Sequence, residues 1–248
     1  MTPRAPLTRL DERVVALGLA ESRTRAQALI RAGRVLVDDV PLDKPGTQIR
    51  ESASVRVRGD ERRFVSRGGE KLAGALSDLD LDPTGRVCLD VGASTGGFSD
   101  CLLQSGARRV VCVDVGYGQL DQRLRSDPRV AVLERTNARY LEREALPEEP
   151  IELVTVDCSF ISVTLLLPRL LELAPGAPML VLVKPQFEVG REQVGKGGVV
   201  RDDGLRAQAV ERVRACAHGL GLRERGRAES RLAGPRGNRE IFLLLEPA

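Results

Sequence analysis

The chain has 248 residues, 42% of them hydrophobic and 29% charged. That suffices for one large packed core and one small one, and it excludes wholesale disorder. No apolar run approaches the ~20 residues that span a bilayer, the first residues lack the apolar stretch of a secretory signal, and one histidine with five scattered cysteines and no Cys-x-x-Cys excludes a zinc or iron–sulfur site. A cytoplasmic protein without a metal or a membrane partner is expected, with cysteines 88, 112 and 158 serving as small apolar residues in or at the ends of strands.

The net charge of +3 conceals an asymmetry. Residues 1–69 hold 14 Lys/Arg against 9 Asp/Glu, and the rest hold 24 against 26. A basic small domain beside a near-neutral large one fits a polyanionic partner.

In chain order, residues 7–20 place Leu10, Val14, Leu17 and Leu19 near helical spacing. Ser22 can cap a second helix from Arg23 to Ala32, with Ala26, Leu29 and Ile30 on its apolar face and Gly33 as its stop. Val35–Val37 reads as a strand, Asp38-Asp39 as a turn and Val40 as the return; Gln48-Ile49 and Ser54–Arg58 follow as short strands. Four arginines and no acid lie between Ser22 and Arg34, so an uncompensated basic helix face is expected. Arg9-Leu10-Asp11, followed by the stretch from Ser22 to Val37, resembles the alpha-L RNA-binding domain of a small-subunit ribosomal protein, pseudouridine synthases and tyrosyl-tRNA synthetases. The resemblance implies that the second helix lies on structured RNA, with Arg23, Arg25, Arg31 and Arg34 on phosphates. Such contacts position an RNA without selecting its sequence. Residues 1–60 are read as this domain, 61–69 as a linker and 70–248 as a second domain.

In the second domain, strands are expected at 87–90, 110–114, 130–133, 151–157, 179–184 and 241–246, with a weaker one after Leu220. Helices are expected near 70–80, 97–105, 119–126, 162–173 and 203–219. This alternation predicts an α/β fold with a doubly wound, mostly parallel Rossmann-like sheet, joined to a small N-terminal α+β domain.

The first strand ends in Asp90-Val91-Gly92-Ala93-Ser94-Thr95-Gly96-Gly97-Phe98. Glycines in such a turn let backbone approach a ligand, and an acid after the next strand, Asp114, is placed for the hydroxyls of an adenosine ribose. The spacing Asp-x-Gly-x-x-x-Gly suits S-adenosylmethionine better than a dinucleotide, because Gly-x-Gly-x-x-Gly is missing.

Asp157 ends the fourth strand and Lys184 the fifth, at the edge where open α/β sheets bind ligands. Lys71, in Ser66-Arg67-Gly68-Gly69-Glu70-Lys71-Leu72, and Glu240, before the last strand, are ordinary surface charges taken singly. As a set, Lys71, Asp157, Lys184 and Glu240 suit activation of a sugar hydroxyl. A free lysine titrates at about 10.4. Burial and a second lysine favour the neutral amine, while the carboxylates oppose this.

Five segments resemble the TlyA family of ribosomal RNA 2'-O-methyltransferases, which have an FtsJ-like catalytic domain and were historically labelled haemolysins. They are Ser66–Leu72, Asp90–Phe98, Asp114-Val115-Gly116-Tyr117-Gly118-Gln119-Leu120, Val156–Ser162 and Val183–Glu188. The resemblance spans nearly the whole chain. It implies Lys71, Asp157, Lys184 and Glu240 as the catalytic set and S-adenosylmethionine as cofactor. The cofactor would be held by Asp90, Gly92, Ala93, Ser94, Thr95, Gly96, Gly97 and Phe98, with Asp114 on the ribose and Asn137 at the adenine. The substrate implied is cytidine in ribosomal RNA within ribosomal subunits, on the large subunit in some members and on both in others. Some members carry a tryptophan in the linker, where this chain has Arg63-Phe64-Val65-Ser66.

Three rivals stand beside this reading. A base N-methyltransferase would place Asp/Asn-Pro-Pro-aromatic where this chain has Asp157-Cys158-Ser159-Phe160, with no role for Lys184. A pore-forming haemolysin would leave the glycine turn unexplained, and a silent RNA-binding module would leave the four polar residues unexplained.

Overall fold

The computed structural model describes residues 6–58, 63–234 and 237–248. Residues 61 and 62 of the region read as a linker, the two residues before them and most of the lead before Leu7 lie outside the described residues. The chain divides into two compact units at Arg62/Arg63.

In the first unit, strand β1 (Leu7–Arg9) precedes helices α1 (Leu10–Ala16) and α2 (Arg23–Arg31); β2 (Val35–Val37), β3 (Val40–Pro41), β4 (Gln48–Arg50) and β5 (Val55–Val57) follow. The first helix is therefore shorter than its periodicity suggests: Leu7–Arg9 pairs with β4 instead. Ser22 caps α2, its Oγ accepting from the Arg25 N–H. Gly33, at φ +65°, ends the helix, with its N–H donating to the Ile30 carbonyl and that of Arg34 to Leu29. This paired closure needs a left-handed residue, which glycine adopts without strain. Asp38 and Asp39 both take positive φ, as a two-residue turn joining twisted strands requires. Leu10, Val14, Ala26, Ile30 and Val35 pack into a small core of their own.

The second unit runs α3 (Arg67–Asp78), β6 (Val87–Val91), α4 (Gly97–Gln104), β7 (Arg109–Val113), α5 (Gln122–Arg125), β8 (Val130–Leu133), β9 (Leu153–Val156), α6 (Leu167–Leu173), β10 (Met179–Val183), α7 (Pro185–Glu188), α8 (Asp203–Gly219), β11 (Leu222–Glu229) and β12 (Ile241–Pro247). The sheet order is β11-β12-β10-β9-β6-β7-β8. Neighbours from β10 to β8 are parallel, and β12 runs against both of its partners.

Strand residues alternate between two cores. Leu89, Val111, Val154 and Val181 face α6 and α8, whereas Cys88, Val110, Leu180 and Phe242 face α3 and α4. Burial pushes the thiols of Cys88, Cys101, Cys112 and Cys158 up to about 12, so they remain protonated.

Two further expectations change. The helix expected at 162–173 is a 3₁₀ turn (Val163–Leu165) followed by α6, because Pro168 has no N–H to continue the first turn. From Arg63 onward the supposed linker belongs to the large unit: Phe64 is buried against Gly69, where no Cβ would fit, and the Val65 N–H donates to Asp100.

Candidate active site

Parallel pairing of β6 with β7 brings Val91 opposite Val113, so the loops after both strands start side by side. The N–H of Gly92 donates to the Val113 carbonyl at 2.8 Å. Asp114 then accepts from the Ser94 N–H at 2.8 Å on one oxygen and from the Gly116 N–H at 2.7 Å on the other. Gly92 sits at φ +86°, and a Cβ there would lie 2.6 Å from the Asp157 carbonyl oxygen. Its bareness serves the close approach of the loop after β9.

These loops enclose a cavity of about 470 Å³ bordered by Gly92, Ser94, Asp114, Gln119, Asn137 and the segment 157–161. The volume falls within the ~300–1,000 Å³ of small-molecule sites. A carboxylate has about four lone-pair positions, so Asp114 keeps acceptor capacity for a vicinal pair of hydroxyls after taking its two N–H bonds.

The rest of the expected cofactor turn does other work. Asp90 is wholly buried inside β6, accepting from Ser99 Oγ at 2.6 Å and Thr155 Oγ1 at 3.0 Å. Its place in the strand's alternation turns it toward α4, and burial raises its carboxyl to about 6. A Cβ on Gly96 would overlap Leu124, and one on Gly97 would overlap Ser66 where α3 meets α4. Phe98 packs on Phe242 in the core, with ring centroids 6.0 Å apart. Ala93 is buried, and the Thr95 carbonyl accepts from the Asp121 N–H; neither borders the cavity.

The four polar candidates form two ion pairs. Lys184 Nζ lies 2.5 Å from Asp157 Oδ1 and donates to Ser159 Oγ at 3.0 Å. Lys71 Nζ, from the buried face of α3, donates to Glu240 Oε2 at 2.5 Å. Lys71 and Lys184 are each 8% exposed and Glu240 2%. Val183 pairs with Ile241, so the next positions beyond the ladder are Lys184 and Glu240; Asp157 follows β9 on the other side of β10. Three of the four thus leave one edge of the sheet, and α3 brings the fourth to Glu240.

Ser159 and Phe160 carry no role that the sequence alone assigns. Ser159 borders the cavity while holding Lys184. Phe160 is 91% exposed at φ +67°, its ring 5.4 Å from that of Phe187. An acceptor and an aromatic two and three residues past a strand-end acid are the signal that points to them.

In the first unit the basic face is partly compensated. Arg23 Nε donates to the buried Asp11 at 2.9 Å and its guanidinium also pairs with Glu12. Asp11 accepts from Arg9 and Gln27 as well. Arg9 foremost holds its carboxyl far below the usual range, against burial, with Gln27 and Arg23 adding to the effect. Arg34 Nε donates to the Arg58 carbonyl. Arg25 and Arg31 are exposed, the latter 3.5 Å from Gln27 Oε1.

Residues 64–246 match the FtsJ-like methyltransferase family and residues 8–55 the S4 domain. The chain is 51% identical over 239 residues to the 16S/23S rRNA (cytidine-2'-O)-methyltransferase TlyA of Mycobacterium tuberculosis, covering 96% of this chain and 89% of that protein. It is 37% identical to the 23S rRNA (cytidine-2'-O)-methyltransferase TlyA of Campylobacter jejuni, covering 72% and 69%. A solved structure named as a hemolysin, from Streptococcus thermophilus, superposes with a TM-score of 0.81 at 39% identity, covering 99% of this chain and 90% of that one. Fold and motifs define an FtsJ-like methyltransferase with an S4 domain ahead of it, and within that class the chain belongs to the TlyA family. Among the described residues no helix is long and apolar enough to cross a membrane.

Proposed function

We propose that this chain methylates the ribose 2'-hydroxyl of a cytidine in ribosomal RNA, with S-adenosylmethionine as donor. The observation that carries the reading is Lys184, held between Asp157 and Ser159 beside the cavity. When bound, the cofactor supplies an electrophilic methyl group on a sulfonium. Asp114 would take the ribose hydroxyls, Asn137 would meet the adenine, and Gly92 and Ser94 would line the approach.

Lys184 is the residue assigned to the 2'-hydroxyl. As an ammonium it holds the hydroxyl oxygen; as an amine it accepts the proton. Asp157 keeps Nζ in place, and the Lys71–Glu240 pair completes the polar edge. Phe160 offers a flat apolar face to an unstacked base. Arg25 and Arg31 are the phosphate contacts proposed for the S4 domain.

The test is single-turnover transfer from labelled cofactor to separated small and large ribosomal subunits, with the product nucleoside identified by mass spectrometry. 2'-O-methylcytidine is the expected product. Methyl on the base would replace this reading with the N-methyltransferase, and no transfer to either subunit would remove it.

A further inference from the structure

We infer that Ser159 is a positioning residue for proton removal: its hydroxyl aims the Lys184 amine at the substrate oxygen. This rests on the proposed role of Lys184.

Asp157 and Ser159 border the cavity and Lys184 does not, so these two link the lysine to the cofactor space, the serine through a hydrogen bond. A neutral amine has two N–H bonds and one lone pair in a tetrahedral arrangement. Ser159 Oγ accepts from Nζ at 3.0 Å, whereas Asp157 Oδ1, 2.5 Å away, is an ion-pair partner that takes no hydrogen bond. The hydrogen given to Ser159 fixes the rotation about Cε–Nζ, and with it the directions left to the second hydrogen and the lone pair. Without that acceptor Nζ would rotate about Cε–Nζ and turn its lone pair away from the hydroxyl. In the step itself the 2'-O–H bond breaks, its proton fills the Nζ lone pair, and the oxygen keeps the electrons that attack the methyl carbon.

The serine is fixed from both sides. Before it, the Asp157 N–H donates to the Val91 carbonyl at 2.9 Å. After it, the buried Glu188 carboxylate accepts from Ser162 Oγ at 2.5 Å and from the Val163 N–H at 2.8 Å. Glu188 ends the same short helix that Lys184 caps, so loop and lysine are bound to one another at both ends. Between them Phe160 holds a left-handed backbone, which a phenylalanine keeps only where its surroundings dictate it.

The experiment compares Ser159→Ala and Ser159→Thr in the full chain, with single-turnover transfer to ribosomal subunits as the rate measured. Cofactor binding is measured by calorimetry, and Lys184 side-chain order by NMR on ¹³C-lysine-labelled protein. Ser159→Ala should slow transfer roughly 10–100-fold, as expected for one lost hydrogen bond to a charged group. Cofactor Kd should stay within about twofold and the Lys184 signal should loosen. Ser159→Thr, which keeps the hydroxyl, should recover rate and order. A wild-type rate in Ser159→Ala overturns the inference and leaves the methyl-transfer reading standing. So does a slow variant whose Lys184 signal stays as ordered as in the wild type, or one whose defect lies in cofactor binding. Failure of the wild-type chain to make 2'-O-methylcytidine overturns the function itself.

Discussion

Lys71 and Glu240 stand 169 positions apart in the chain, and their side chains meet at 2.5 Å, both nearly sealed from water. The pair ties the first helix of the large unit to the start of its last strand. Removing one partner strands a buried charge, at a cost of about 3–5 kcal/mol. Lys71→Ala and Glu240→Ala should each lose about that much in urea melts. The double variant Lys71→Met/Glu240→Leu should regain most of the stability while transfer stays lost. Single variants that melt with the wild type would show that the pair holds nothing together.

Lys184 gives the sharpest kinetic expectation. Loss of a general base costs about 10²–10⁴-fold, so Lys184→Ala should slow single-turnover transfer by that factor, with little change in cofactor or RNA affinity. Lys184→Arg should fail almost as badly, since a guanidinium does not release its proton in the working range. A near-normal rate in Lys184→Ala would refute the assignment.

The sheet, its helices and the polar residues at strand ends are legible in the sequence, because they depend on local periodicity and on where an apolar run stops. What is not legible depends on packing between distant parts of the chain. Asp90 reads as the end of a strand, yet it lies one residue inside β6, and alternation turns it to α4. Arg23 reads as free because no acid is near it on its own helix; Asp11 reaches it from α1. Gly96 and Gly97 read as ligand-facing, but close packing between helices requires their small size. The pairing of Lys71 with Glu240 and of Lys184 with Asp157 needed the sheet register.

Gly96 and Gly97 should therefore part company with Asp114. Gly96→Val should lower the melting temperature by forcing a methyl group into Leu124. Asp114→Ala should leave melting nearly unchanged and weaken cofactor binding at least about tenfold, through loss of charge-assisted hydrogen bonds. Calorimetry beside thermal melts separates the two; equal cofactor affinity in Asp114→Ala would move the ribose site elsewhere.

On the S4 domain, Arg25→Glu and Arg31→Glu should weaken RNA binding and flatten its dependence on salt. The log–log slope should fall by about 0.7–0.9 for each phosphate that is no longer neutralised. Arg23→Ala should act differently, destabilising the domain by leaving Asp11 short of a partner. Filter binding across salt concentrations, with circular dichroism melts, makes the distinction. An unchanged slope for Arg25→Glu/Arg31→Glu would mean that this face is solvated surface.

Asp90 links pH to stability. Burial lifts its carboxyl from the ordinary carboxylate range to about 6, with hydrogen bonds from Ser99 and Thr155 opposing the lift. The folded state therefore holds a proton between about pH 4 and 6 that the unfolded chain has released. The stability this contributes is fully present below the unfolded value and is lost as pH rises through about 6. Asp90→Asn should remove that slope, because an amide has no proton to lose, and Ser99 and Thr155 hydroxyls can turn to accept from its nitrogen. The variant should match the wild type near pH 4 and exceed it above pH 7 by on the order of 2 kcal/mol. Cofactor affinity should change little, since Asp90 has no exposed atom to offer. Urea melts at pH 5 and pH 8 read the slope directly. A wild-type slope in Asp90→Asn would place the titration on another group, and a large loss of cofactor binding would return Asp90 to the ligand site.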